Sequence, residues 1–504
     1  MESSVEEISN RKLRVRVKGG VQRGKVVVTG RKPQSSFTAQ TVLDAGLRVL
    51  MSVRSVSVSR SETRGTFVPG YLPSTMLLGF SGFKNAAPGG AFVFGVQDSE
   101  FGQRAAERGW LSADSSVQDA YKMTRSETWN YRVTVEPFPY MRIEVSGNRT
   151  FSKNRAEYYR QLADGEFHAI NPQVSGSFSI TGVFIATAFD RASSKTRYES
   201  AAFTRFRESR LAEAQRLAEQ RAAGGVYKNV AGPDGTFPEG YGALSPAVLV
   251  PTFLSAYMGG GSTWGRALFP KIPLPNWQFT YDGLSRIAAV RDVLRQLSLR
   301  HGYRANYTIG AYESNDAFMP SADGFSYATD AQGNFIGAYN VNAITISEQF
   351  SPLVGVDLGF VNQLTAKAEV RKNRTLTMSF ANNQLTDMDG WELVVGAGYR
   401  FENLPLLMKT QLGGRKVSRS ELRLQADFGM RETKTILRKL VEGTNTPTAG
   451  LRNYSIKFTA DYMMSEQITL RMYFDHAVNK PLVSLSFPNS NTSFGVSARF
   501  VLEQ

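Results

Sequence analysis

From Tyr454 to Asp475 the chain alternates apolar and polar residues in two runs separated by a short break. Tyr454, Ile456, Phe458, Ala460 and Tyr462 interleave with Ser455, Lys457, Thr459 and Asp461. After Met463–Gln467, Ile468, Leu470, Met472 and Phe474 interleave with Thr469, Arg471, Tyr473 and Asp475. A period of two places one set on each face of a sheet, so the stretch predicts a β-hairpin with one apolar and one charged face.

The pattern recurs along much of the chain. RKLRVRVKGG and GKVVVTG predict a first strand pair, and LMSVRSVSVSRSETRG alternates with a slip near Ser55 that predicts a bulge. Trp129, Tyr131, Val133 and Val135 share a phase that Met141, Ile143 and Val145 resume after a Pro-containing turn. Val174, Gly176, Phe178 and Ile180 alternate with polar residues, mainly serine, and Leu299 to Ile309 forms another run through His301, Tyr303, Ala305 and Tyr307. Leu364, Ala366, Ala368 and Val370 oppose Lys367, Glu369 and Arg371. Leu393 to Phe401 stays in phase, and Leu422 to Met430 opposes Arg423 and Asp427. The last run carries Phe494, Val496, Ala498, Phe500 and Leu502.

The middle breaks this rhythm. The segment from Ser193 to Gly225 is rich in Ala, Leu, Glu, Arg and Gln, which predicts one long helix stopped by Gly224 and Gly225. A Gly/Pro-rich stretch follows, through PDGTFPEGYG to FPKIPLPNWQFTYDGLS, and predicts a functional insertion or a segment packed inside a larger cavity. The divisions expected are uncertain strands or linker over 1–46, barrel strands with long loops over 47–190, helix plus insertion over 191–293 and barrel strands over 294–504.

Strand length decides what covers the apolar face. Soluble strands run to about 5–6 residues, whereas these runs reach roughly 9–12, the length that crosses a bilayer at a tilt. Successive charges on the other face require water. The pattern therefore predicts an all-β, transmembrane antiparallel β-barrel in the outer membrane of a Gram-negative bacterium. Tyr454, Ile456, Phe458, Tyr462, Leu470, Phe474, Phe494 and Phe500 are the candidates to face membrane lipid. Lys367, Glu369, Arg423, Asp427, Lys457, Asp461, Arg471 and Asp475 are the candidates to face the lumen.

Composition sharpens this picture. The 504 residues are 42% hydrophobic and 11% aromatic, with 45 Gly, which suits long strands better than membrane helices. The longest apolar run, SPAVLVPTFLSAYMGG, holds two prolines and falls short of the roughly 18 residues of a spanning helix. The net charge of +15 comes from Lys and Arg scattered singly rather than in nucleic-acid-binding blocks, so no nucleic-acid partner is expected. Cysteine is absent, which excludes disulfides and thiolate metal sites.

Candidate chemistry is sparse. The three histidines, His168, His301 and His476, stand far apart in sequence, so neither a histidine metal site nor a triad is expected. Gly19, Gly24 and Lys25 have phosphate-loop spacing, but Val26 replaces the magnesium-binding hydroxyl and a strand follows where a helix is needed. Asp461 and Asp475 read as solvated charges beside Lys457 and Arg471 before they read as an acid–base pair. The expectation is a protein without catalytic activity, cofactor or metal.

Six blocks together carry a resemblance. They are LRVLMSVRSVSVSRSETRGTFVPGY, GGAFVFGVQDSEFGQRAAERGWLS, RVTVEPFPYMRIEVSGNRTFSKNRAEYY, FPKIPLPNWQFTYDGLS, AEVRKNRTLTMSFANNQLT and PLVSLSFPNSNTSFGVSARF. In this order they resemble the C-terminal portion of the SprA/Sov family, the outer-membrane translocons of the type IX secretion system, which serve protein secretion and gliding motility. The resemblance runs from about Leu47 to the end. It implies the C-terminal part of a very large single-chain barrel. It also implies a PorV-like outer-membrane barrel, a periplasmic plug protein and secreted cargo proteins as partners. Family members are longer and begin with a secretory signal, whereas MESSVEEISNRK has no apolar core of that kind, so the chain is expected to be a piece of a longer precursor. The alternative is a self-contained outer-membrane porin or receptor barrel, and a secreted β-rich adhesin is a weaker one.

Overall fold

The computed structural model describes residues 3–9, 12–17 and 51–501, apart from 77–78, 83–86, 115, 191–192, 224, 233–234, 261–262, 410–414, 465–466 and 484–485. The chain divides into two units, 1–50 and 51–504. In the first, β1 (Ser3–Ser9) and β2 (Lys12–Val17) form an antiparallel hairpin. The expected partner of β2 was GKVVVTG, which lies outside the described residues together with Gly19, Gly24, Lys25 and Val26.

The second unit is built on one 14-stranded antiparallel sheet. Its strands are β3 (Val53–Phe67), β4 (Tyr121–Val135), β5 (Met141–Gln161), β6 (Phe167–Thr181), β9 (Asn276–Tyr281), β10 (Leu294–Ser314) and β11 (Tyr339–Val341), followed by β12 (Ala343–Phe360), β13 (Leu364–Ser379), β14 (Gln384–Lys409), β15 (Arg415–Lys439), β16 (Asn445–Met463), β17 (Ile468–Pro481) and β18 (Asn489–Phe500). A separate ribbon joins β7 (Asn229–Gly232) to β8 (Gly235–Pro238). The slip near Ser55 is a register shift between Val53 and Ser55 on β3. Among the described residues β18 pairs with β17 alone and β3 with β4 alone, so the sheet has two free edges and no closing seam. The structure is thus a large, mostly antiparallel sheet with helices, and these residues by themselves show no closed barrel.

One lane of the sheet is interrupted. Both β6 and β9 pair with β5 and with β10, and they follow one another between those two neighbours. Residues 182–275 therefore leave the sheet from the middle of a strand and return to finish it. Asn276–Tyr281, which reads as loop from its proline-rich flank, is the returning half. Side chains seal the seam where ladder hydrogen bonds are lost. The Thr181 hydroxyl accepts from the Asn148 amide at 3.2 Å and donates to the Leu274 carbonyl at 2.7 Å. Asn276 Oδ1 accepts from the Ala305 amide at 2.9 Å.

The excursion carries two main helices. α1 (Ala201–Ala222) starts later than the composition suggests, because Ser200 caps it by accepting from the Phe203 amide at 3.2 Å. It ends at Ala223, which adopts a left-handed conformation (φ 47°). α2 (Pro246–Tyr257) is the apolar run whose two prolines argued against a membrane helix. Pro246 sits at the helix start, where its missing N–H costs nothing. Its residues are buried almost all round, as a helix apolar on every side must be. No described helix is long and apolar enough to cross a membrane. Phe203, Phe206, Leu249, Phe253, Leu254 and Tyr257 pack against Phe178, Tyr303, Tyr307, Ile344, Ile346 and Leu376 of the sheet. Each such side chain stabilises the docked excursion by about 1.5–3 kcal/mol when fully buried.

Candidate functional site

Register partners in an antiparallel sheet point to the same side, so the pairing assigns every strand residue to a face. Val370, Leu393, Met430, Tyr454 and Val478 form one row across β13 to β17. Toward the end of the sheet that holds the β16–β17 turn, this face stays apolar over several rows. Ile456, Phe458, Tyr462, Leu470, Phe474, Phe494 and Phe500 lie on it with Tyr454, which places all eight apolar candidates on one face. Many of its side chains are open: Ile456 is 47% exposed, Phe494 64% and Phe500 68%. His476 and Thr492 form a polar pair on it, and the His476 ring nitrogen bonds the Thr492 hydroxyl at 2.8 Å on the next strand.

Tyr454–Tyr462 is nine residues long, about 20 Å high for a strand tilted by about 45°. The apolar band then ends sharply. The next row is Lys372, Trp391, Glu432, Arg452 and Lys480. Arg452 pairs with Glu432 at 2.6 Å, and the Lys480 ammonium lies 5.6 Å from the centre of the Tyr454 ring. Strands of 25 and 26 residues, β15 and β14, exceed what the band needs, and their surplus length lies at both ends.

Beyond the charged row the helices dock, on the apolar side of the sheet. The excursion therefore covers the apolar side of the sheet and not the charged side. The reason is visible in phase: Leu376, Met378, Ile344 and Ile346 continue the apolar face past the charged row and need cover. Asp387 holds the docking. It is buried between Arg438, at 2.8 Å, and Arg374, at 3.3 Å. Each guanidinium also reaches the excursion's main chain: Arg374 donates to the Thr187 carbonyl at 2.7 Å and Arg438 to that of Tyr198 at 2.6 Å. Beside them on α2, burial pushes the Tyr257 phenol well above its ordinary pKa, and its hydroxyl has no hydrogen-bond partner. None of Arg374, Asp387 and Arg438 was a sequence candidate. The signal was there: charges that keep the apolar phase after Val370 and before Leu393 mark strand surface that is buried outside the band.

The opposite face is mainly polar, with Met388, Val394 and Tyr473 among its few apolar residues. On β3 to β6 it carries Ser57, Ser59, Asn130, Ser146, Asn148 and Ser177. On β12 to β17 one row reads Asp357, Lys367, Gly396, Asp427, Lys457, Asp475, with charge alternating around the glycine. The next rows hold Glu369 and the Arg423–Asp461–Arg471 run, so all eight charged candidates share this face. Arg471 meets Asp461 at 2.5 Å, Lys367 meets Asp427 at 2.8 Å and Arg300 meets Asp357 at 2.7 Å. These pairs are partly exposed and contribute at most about 1 kcal/mol each; their significance is that the face is wet. Asn453, Asn479 and Asn489 add a ladder of amide hydrogen bonds at 2.7 and 2.9 Å. A groove of about 700 Å³ runs over this face between Asp357 and Asp461.

The three histidines stay apart and each makes a local bond, His168 to Asp164, His301 to the Leu353 carbonyl and His476 to Thr492. Among the described residues no group of three or more His, Asp and Glu could hold a metal ion.

No family model matches the chain, and no curated protein matches it. Among solved structures it is similar to OmpT, an outer membrane protein of Vibrio cholerae, at 10% identity and TM-score 0.18, covering 74% of this chain and 91% of that one. It is also similar to the FrpB iron transporter from Neisseria meningitidis, at 8% identity and TM-score 0.17, covering 84% and 58%. A third is the anion-selective porin from Comamonas acidovorans, at 8% identity and TM-score 0.11, covering 77% and 94%. Scores this low do not establish a common architecture.

Proposed function

We propose that residues 51–501 form wall of an outer-membrane β-barrel conduit, with the apolar face against lipid and the polar face lining a water-filled passage. The observation that carries this reading is the two-faced character of β13 to β18, an exposed apolar band on one side and a solvated charge ladder on the other. An exposed apolar surface of that extent has no stable place in water, and lipid is the solvent that leaves the charged face free. The free edges at β3 and β18 fit a wall that other strands complete, because a sheet in lipid must close. The connections at one end, 136–140, 282–293, 361–363 and 464–467, are at most 12 residues long, whereas the other end has the short turns 162–166, 380–383 and 440–444 but also the two long connections 68–120 and 315–338. In outer-membrane barrels short turns face the periplasm, so the docked helices lie on the extracellular side, just outside the bilayer.

The absence of cysteine gives a direct test. Single cysteines placed from Tyr454 to Met463 should alternate in reaction with a water-soluble maleimide in intact membranes. Ser455, Lys457, Thr459 and Asp461 positions should label, and Tyr454, Ile456, Phe458 and Tyr462 positions should not until detergent is added. Uniform labelling overturns the proposal.

A narrower reading, favoured by the six ordered sequence blocks and by a strand interrupted by a helical excursion, is that the conduit is a type IX translocon. A PorV-like barrel, a periplasmic plug and secreted proteins would then be its partners. Deleting the gene should stop protein secretion while leaving small-solute permeability unchanged; the reverse result supports a porin or receptor barrel instead.

A further inference from the structure

Building on the conduit reading, we infer that the polar face holds a binding groove for acidic polypeptide, set between Arg304 on β10 and Arg431 on β15. Carboxylates on this part of the face are mostly neutralised by near neighbours. Asp357 pairs with Arg300, Asp427 with Lys367, Asp461 with Arg471, and Glu421 with Arg400 and Arg423. Glu369 and Glu392 share Arg371. Arg304 and Arg431 are exposed, and among the described residues no carboxylate pairs with either. A groove of about 640 Å³ lies along both, and on the polar face Asn306, Gln349, Asn373 and Thr375 line it.

The spacing selects the ligand. Arg304 shares its row with Gln349 and Asn373, and the adjacent row runs Arg371, Glu392, Arg431, Asn453. From β10 to β15 is four strand spacings, about 19 Å, which an extended peptide of about six residues spans. No small anion reaches both guanidiniums. The amides and hydroxyls between them offer donors and acceptors to a peptide main chain, and each arginine presents a fork that matches a carboxylate. The groove offers no aromatic side chain on the polar face for bases to stack on, which a single-stranded nucleic acid would need. The amide ladder of Asn453, Asn479 and Asn489 continues the lower row toward β18 without charge. Such a surface holds an acidic stretch weakly, as transit requires.

The test uses the full chain purified in detergent and a labelled oligoglutamate peptide, with oligolysine as control. Saturable binding of oligoglutamate that weakens with salt, and none of oligolysine, is expected. The double variant Arg304→Glu/Arg431→Glu should lose about tenfold in affinity, with unchanged thermal unfolding because both side chains are exposed. Arg304→Lys/Arg431→Lys should retain charge-dependent binding. Equal binding by the Glu variant, or equal binding of oligolysine, overturns the groove. Cysteine labelling along β16 in intact membranes separates the two ideas. Alternating labelling without oligoglutamate binding removes the groove alone, whereas oligoglutamate binding with uniform labelling removes the conduit.

Discussion

Lys367 and Asp427 stand two strands apart, on β13 and β15, yet their charged groups meet at 2.8 Å because Gly396 on the strand between them has no side chain. A Cβ at Gly396 would collide with both side chains. Gly396→Val should therefore force the two flexible side chains apart and destabilise the folded protein by at most about 1 kcal/mol, the worth of a partly exposed ion pair. In a Lys367→Ala/Asp427→Ala background the same change should cost almost nothing. Urea titration of the refolded protein in detergent measures both, and additive effects would separate the glycine from the ion pair.

Neighbours on β16 should respond oppositely to a change of polarity. Phe458 is 40% exposed on the apolar face, and Lys457 lies on the other face between Asp427 and Asp475. Phe458→Arg should cost about 2–4 kcal/mol if that face meets the bilayer near its midplane. Lys457→Gln should change stability by no more than about 0.5 kcal/mol. Yield of membrane-inserted protein reads the difference, and equal yields contradict the assignment of faces.

Two aspartates with arginine partners should behave differently because of burial. The Asp387 side chain is 6% exposed and that of Arg438 1%, whereas the Arg471 side chain beside Asp461 is 61% exposed. Asp387→Ala leaves two buried guanidiniums without their carboxylate and should cost about 3–5 kcal/mol. Asp461→Ala should cost at most about 1 kcal/mol. Limited proteolysis should also cut residues 182–275 faster in Asp387→Ala, since both arginines anchor that excursion to the sheet. An unchanged cleavage rate rules out the anchoring role.

At the interrupted strand, Thr181→Val removes the hydroxyl that serves both Asn148 and Leu274. The orphaned amide and carbonyl should cost about 1–3 kcal/mol. Hydrogen exchange should accelerate at the Asn148 amide and remain slow at Phe178 farther along β6. Protection unaltered at Asn148 would show that the hydroxyl does not seal the seam.

Alternation alone determined much of the local half of this protein: where most long strands run, β12 apart, which residues share a face, and the bulge near Ser55. Those properties depend on the pleat, whose period of two is set by backbone geometry and needs no knowledge of neighbours. The helix from the Ala- and Glu-rich segment was equally legible in composition, although its start awaited the capping serine. The tertiary structure decided what period cannot express. β6 and β9 share a lane because β5 and β10 accept both, and no local signal marks two distant segments as halves of one strand. α2 is helical despite Pro251 because the sheet and α1 bury it on nearly every side. Arg374, Asp387 and Arg438 came together from three strands to hold an excursion on the apolar side, where phase had suggested only lipid. Pairing over such separations is selected by the burial and hydrogen bonding of the assembled sheet, which no single segment carries.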